Sequence, residues 1–487
     1  MRKYLIIFFF LMYLPVFAQN TRDISYEQLV DKIRGGLLGQ MLGNLNGLPH
    51  EMQYIDQPGN VTEYVPALPE GARTDDDTDF EWVYIYIMQQ DDVIMIPNEQ
   101  LSALWQERIN KGIWCSNRYA RYLMDIGIEP PLTGSIALNP WAEFNISGQF
   151  ICETFGLLAP GMPQTASRIG LHYTRITIDA EPAQTTQLFD TMIATAFFEN
   201  DIDKILDSGL AALDPNSQIH AIVSTVREWY RQNPGDWRKT RQLVKDKYTA
   251  YHGAMRDKNG YELNTAATIA ALLYGQGDFV KTLITAFNFG WDADNVAATA
   301  GTVVGVMKGY RWMLAQDWTI VDRYHNTKRD HMPNDETISS FADRLYELAE
   351  QVILDAGGSR HRVDGRITYT IPVEQPANIQ ALPDLVSRTR ELTHDTEPFI
   401  NRIMKSGATA TKQERARAAY LTICLGMADS LEELYPENWH KSVDDLSSYW
   451  KIMQNIFYDD DIPGIYRIRE SALKAGVKKP DAKRDVW

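Results

Sequence analysis

Two short acidic stretches carry side chains able to do chemistry. In Thr74-Asp75-Asp76-Asp77-Thr78-Asp79 three carboxylates stand in consecutive positions, and in Gly290-Trp291-Asp292-Ala293-Asp294-Asn295 two stand one residue apart. Both runs open helical patterns, so one reading is helix capping, because Asp at an N-cap or in the first turn meets the positive end of the helix dipole. One or two carboxylates suffice for that, and three in a row repel one another unless a cation neutralises them. The other reading is metal binding, with Asp75, Asp76, Asp77, Asp292, Asp294 and Asn295 as oxygen donors. A set without His or Cys suits Mg²⁺, Mn²⁺ or Ca²⁺ better than zinc.

The elements that must position these groups are mostly helices. Apolar residues recur at three- and four-residue intervals over 26–45, 80–90, 184–198, 217–231, 265–274, 296–310 and 338–354. Alternating runs are few, the clearest being 174–178 and 366–373, so the pattern predicts an all-α architecture with small β embellishments. Gly35, Gly39 and Gly43 recur every fourth residue, as do Gly301, Gly305 and Gly309. That spacing predicts two helices packed unusually close. The Gly357-Gly358-Ser359 stretch marks an expected domain edge near 360, leaving a main domain over 19–360 and a smaller, mainly helical region over 361–487. In that region Thr411 and Glu414 form a capping-box pattern opening a helix through Leu434, and 443–458 supplies another amphipathic segment.

Taken in order, several motifs resemble those of the ADP-ribosylglycohydrolase family. They are Gly36, Gly39, Gly43, Gly47 and Glu51, then Asp76-Asp77-Thr78, then Gly290-Trp291-Asp292-Ala293-Asp294, then Ala298-Thr299-Ala300-Gly301, within roughly residues 25 to 355. Ile146-Ser147-Gly148 and the segments 156–161 and 192–197 resemble pieces of its secreted or bacterial branch. The resemblance implies a compact all-α domain with two Mg²⁺ ions in a central cleft that takes ADP-ribose or a related ribofuranoside. It matches Asp76 and Asp77 to the family's early metal-binding aspartates, Asp292 and Asp294 to the late pair, and Glu51 to the glutamate near the reacting carbon. Asp75 and Asn295 depart from the usual Ser or Thr, Asn44 stands where many relatives have Asp, and Thr74-Asp75-Asp76 is an alternative register for the ligands. On this reading Asn145, Ser147 and Gly148 line the sugar or phosphate pocket and His172 lies near the cleft. Gly148 also reads as a turn glycine, His172 as a structural histidine, and Asn264 as an N-cap. Arg329, in the polar tract 324–331, is read either as a contact for a phosphate or sugar acid or as part of a solvated loop; Asp459-Asp460-Asp461 is read as a solvated loop.

Glycoside cleavage passes through an oxocarbenium-like state, so such a site needs a proton donor or acceptor as well as charge stabilisation, and Glu51 is the candidate for that acid or base. The rest of the sequence bounds where and on what it acts. With 48 basic against 64 acidic residues in 487, the net charge of −16 offers no footprint for nucleic-acid phosphates or anionic membranes. Arg2 and Lys3 precede an apolar run of about fourteen residues, short of the roughly twenty that span a bilayer, and Val16-Phe17-Ala18 closes it. Residues 1–18 read as a secretory signal peptide, an uncleaved anchor being the alternative. The mature chain is therefore expected in a periplasmic or extracellular space, with no membrane span and a small-molecule or glycan substrate. Export leaves two other functions open: a furanosidase or other glycosidase acting on a polysaccharide or nucleoside, and a non-catalytic, metal-dependent sugar-binding protein. Cys115, Cys152 and Cys424 allow at most one disulfide.

Overall fold

The computed structural model of the protein describes residues 20–250, 255–406, 409–459 and 462–484. The expected signal peptide lies outside the described residues. The first helix, α1 (Tyr26–Gly47), starts from a capping box in which the Ser25 hydroxyl accepts from Gln28 N and the Gln28 side chain accepts from Ser25 N. Its glycines lie against the Ala293–Lys308 helix with nothing between the two backbones. A Cβ added at Gly39 would stand 2.2 Å from the Gly301 carbonyl oxygen, and one at Gly43 would stand 2.1 Å from that of Ala297. The four-residue spacing of small side chains therefore brings two helices into backbone contact, as expected. At the end of the stripe a Cβ on Gly47 would lie 2.4 Å from Asp294 Cα, so the same contact carries α1 to the late acidic motif.

Helices Tyr261–Gly275 and Phe279–Phe289 pack beside this pair, and Ala180–Ala196 packs against the Ala293–Lys308 helix. Every residue of Tyr261–Gly275 is buried, as befits a helix at the centre of an all-α protein rather than on its surface. The second helix, α2 (Asp76–Asp91), is buried from Asp77 through Ile85 and begins at the early acidic run. Among the described residues no helix is long and apolar enough to cross a membrane. Among the described residues Cys115, Cys152 and Cys424 form no disulfide.

Among the described residues three small sheets decorate the helices. Thr21–Ser25 pairs antiparallel with Arg366–Pro372, which pairs antiparallel with Ser359–Val363. The expected edge near 360 thus falls within a hairpin tied to the start of the described chain. The helices beyond it share the main apolar core, where Ile400, Tyr420, Trp439 and Ile456 are buried. Tyr420 also hydrogen-bonds Tyr119 at 2.9 Å. Ala72–Arg73 runs parallel to Tyr324–His325, which pairs antiparallel with Asp335–Glu336 and so lays the loop between those two strands against the start of α2.

Three expectations change. The alternating stretch 174–178 is no strand: it follows helix Pro163–Thr174 as turns, with Ile176 N donating to Tyr173 O and Ile178 N to Thr174 O, so its backbone groups are satisfied locally. Beyond Thr411, whose capping box forms, the helix stops at Cys424 before Gly426, at φ +74°, and a separate helix covers Ala428–Leu434. The 443–458 segment is likewise divided between Pro436–Ser447 and Trp450–Tyr458.

Candidate active site

Asp75 occupies the N-cap position of α2 with extended backbone, yet its side chain makes no capping hydrogen bond. Its carboxylate turns instead to other partners: Oδ1 lies 3.0 Å from Lys328 Nζ, and Oδ2 accepts from Asn44 Nδ2 at 3.2 Å. Asp77 accepts from the same Asn44 nitrogen at 2.9 Å and from Asn295 Nδ2 at 3.0 Å. Asp76 faces the adjoining cavity, 4.0 Å from Lys328 Nζ. The capping reading thus fails for Asp75, and Asn44 and Asn295 meet the cluster as hydrogen-bond donors.

The late motif is aimed by a sharp turn. Gly290 and Trp291 both adopt positive φ, +74° and +56°, a conformation in which a bulky residue is held only by its surroundings. Arg241 supplies much of that hold: its guanidinium lies 4.6 Å from the Trp291 ring and donates to the carbonyls of Phe289 and Ile55. Met52 N donates to Trp291 O at 2.7 Å, which brings the preceding residue, Glu51, beside the turn. Asp292 follows with its own N–H donated to Asn264 Oδ1 at 3.2 Å. Asp294, one residue into the helix, keeps Oδ1 without a hydrogen-bond partner although the residue is only 3% exposed.

These pieces converge. Glu51, Asp292 and Asp294 each offer a carboxylate oxygen within 4.8 Å of the others, and so do Asp75, Asp77 and Asp294. Burial, then the neighbouring carboxylates, pushes Asp77 and Asp294 well above the ordinary carboxylate range. Burial and the charges of Asp292 and Asp75 push Glu51 up to about 7, with Lys328 opposing. An orphaned, buried aspartate oxygen inside an all-oxygen donor set fits a hard divalent cation. The carboxylates line one end of a cavity of about 550 Å³, large enough for a small glycoside.

The family model for ADP-ribosylglycohydrolase matches residues 25–354. The chain belongs to the ADP-ribosylglycohydrolase family. One solved structure, described as an ADP-ribosylglycohydrolase-related protein complex, aligns with 66% of this chain and 99% of its own at 17% identity and a TM-score of 0.36. No curated protein matches the chain.

Within this ADP-ribosylglycohydrolase-type cavity Asn145 lines the wall, while Ser147 and Gly148 stand behind it. Ser147 N donates to Asn145 Oδ1 and its hydroxyl to Asn117 Oδ1, so Ser147 props the asparagines that face the space. Gly148 permits helix contact: a Cβ there would lie 2.0 Å from Pro182 O. His172 is not at this site. It lies in a separate surface groove with Met95 and Arg168, and its Nε2 bonds the Ile96 carbonyl at 2.7 Å, because its helix faces that loop. Asn264 is no N-cap; it sits inside Tyr261–Gly275 and fixes the Asp292 backbone.

Arg329 takes neither expected role. Its side chain is fully buried, forms an ion pair with Asp79 at 2.7 Å and lies over the Phe80 ring. Asp459 is likewise not solvated: it pairs with Arg118 at 2.6 Å, accepts from Trp141 Nε1 at 3.0 Å and lines the cavity with Lys483. Asp460 and Asp461 lie outside the described residues. Both lining residues, Asp459 and Lys483, stand beyond the stretch the family model matches, so the C-terminal region supplies part of the cavity wall. Sequence reasoning passed over Lys328, Asn259, Trp114, Arg118 and Trp141, all of which line the cavity. For Lys328 the signal was its place beside Arg329 in the polar tract.

Proposed function

We propose that this chain is an exported, divalent-cation-dependent glycohydrolase that cleaves the anomeric bond of an ADP-ribosyl or related ribofuranosyl substrate. Family membership supports glycohydrolase chemistry, and the apolar segment after Arg2 and Lys3 supports export. The observation that carries the reading is Glu51, a carboxyl raised to about 7 at the edge of a buried carboxylate cluster and facing a ligand-sized cavity. A carboxyl so poised exchanges a proton near neutral pH, which is what departure of the aglycone and attack by water require.

Asp292 and Asp294 are the residues that would hold the cation, with the Glu51 carboxyl beside them. A bound Mg²⁺ or Mn²⁺ supplies Lewis acidity and an anchor for vicinal sugar hydroxyls. The chain's own groups do the rest. Asn145, held by Ser147, presents an amide to the sugar, and the carboxylate-rich end favours the positive charge that develops at the anomeric carbon. Trp114, with about half its surface exposed, and Trp141 also line the cavity and give it aromatic faces. They favour a second reading, release of a furanoside from a glycan or nucleoside, since such faces stack on sugars and bases alike.

The test is hydrolysis by residues 19–487 of ADP-ribosyl conjugates and of chromogenic or natural furanosides, with Mg²⁺ and with chelator, an Asp76→Ala/Asp292→Ala double variant excluding contaminants. Chelator-sensitive release of ADP-ribose supports the first reading, and release confined to furanosides supports the second. Cation-dependent ligand binding without turnover on either set makes the chain a sugar-binding protein.

A further inference from the structure

We infer that Lys328 is a built-in cation that takes the place of a second divalent ion, so that the site holds one metal ion per chain; this rests on the cation dependence proposed above. Lys328 does not reach the carboxylates by chance of a mobile loop. The residue before it is fastened to the acidic run, Thr327 N donating to Thr74 Oγ1 at 2.8 Å, and the residue after it pairs with Asp79 through the fully buried Arg329 guanidinium. Asn326 Oδ1 accepts from the N–H groups of both Lys328 and Arg329, and Arg329 Nη1 donates to Lys111 O at 2.7 Å. The strap thus delivers its ammonium to one place, 3.0 Å from Asp75 Oδ1 and 4.0 Å from Asp76 Oδ1.

A hard cation needs carboxylate oxygens at roughly 2.0–2.6 Å with their lone pairs free. At Asp75 both oxygens are engaged, Oδ1 by Lys328 with Arg73 3.6 Å away and Oδ2 by Asn44. At Asp77 both accept amide hydrogen bonds, from Asn44 and Asn295. An ion placed among these oxygens would displace donors already bonded and meet an ammonium of like charge. The adjoining set, which shares Asp294 with Asp75 and Asp77, differs: Glu51, Asp292 and Asp294 converge there, and Asp294 Oδ1 meets no donor. One ion held by Asp292 and Asp294 beside Glu51 leaves Asp75 paired with Lys328, with Asp76 facing the same ammonium.

The test counts Mn²⁺ bound to chelator-stripped residues 19–487 by calorimetric titration, with electron paramagnetic resonance measuring free Mn²⁺. The wild-type chain and Lys328→Arg should each bind one ion. Lys328→Met should bind two, and the second should bring the spectral broadening of a spin-coupled pair. Two ions in the wild-type chain overturn the inference, as does a single ion in a Lys328→Met protein whose melting shows it folded. Lys328→Gln serves the same purpose if the methionine variant does not fold. If the wild-type chain binds none, this inference falls together with the cation dependence of the proposed function. Two wild-type ions with chelator-sensitive hydrolysis intact overturn this inference alone.

Discussion

Glu51 stands at the end of a three-residue 3₁₀ turn, and its carboxyl is raised by burial and by two aspartates rather than by any direct hydrogen bond. Glu51→Gln keeps the shape and removes the exchangeable proton. It should lower kcat by about 10²–10⁴-fold while leaving ligand Kd nearly unchanged, a split that steady-state kinetics and calorimetry resolve. A large rise in Kd with unchanged kcat would make Glu51 a binding group instead. Arg329 supports a different prediction, because its pair with Asp79 is wholly buried. Arg329→Met leaves that carboxylate without its counter-charge and should cost about 3–5 kcal/mol in urea unfolding, whereas Arg329→Met/Asp79→Leu should recover much of the loss. The types of these side chains were legible in the sequence, but their partners were not. Asp79 and Asp75 lie in one acidic run, yet one is matched to an arginine in the core and the other to a lysine at the cavity.

At the scale of elements, the contact between α1 and the Ala293–Lys308 helix places both acidic motifs. Gly39 and Gly43 face carbonyl oxygens of the partner helix, so a side chain there cannot be accommodated by a rotamer change. Gly39→Val should destabilise the protein by at least ~3 kcal/mol, read as a lower urea midpoint at unchanged slope. It should also weaken Mn²⁺ binding, because Asn44 and Gly47 lie farther along the same helix against Asp77 and Asp294. The four-residue glycine spacing announced this contact, and the helices over 184–198, 217–231 and 338–354 were equally visible from periodicity. The turns after Thr174 were not, since Thr and Ile alternate there as they do in a strand while neighbouring carbonyls already satisfy the backbone.

For the whole molecule, the carboxylates make stability depend on pH and on cation together. Burial raises Glu51 and Glu81 to about 7 and Asp79 to about 6, above ordinary values near 4. The stability linked to such raised carboxyls is fully present below about pH 4 and is lost as pH rises through about 6 and 7. Cation binding opposes that loss where the carboxylates are ionised. The rise in Tm produced by excess Mg²⁺ should therefore be larger near pH 8 than near pH 5.5, and scanning calorimetry with and without chelator checks it. Equal gains at both values would mean that the cluster does not hold the ion. The sequence by itself determined the helical class, the close-packed pair of glycine-bearing helices, both acidic motifs and the family, because periodicity, small-residue spacing and consecutive carboxylates are local properties of the chain. Only the tertiary structure decided that Lys328 reaches the early aspartates, that His172 lies in another groove and that Asp459 closes the cavity from the C-terminal region. Those outcomes depend on which distant segments share a wall, and that is set by the packing of the entire core rather than by any stretch of residues along the chain.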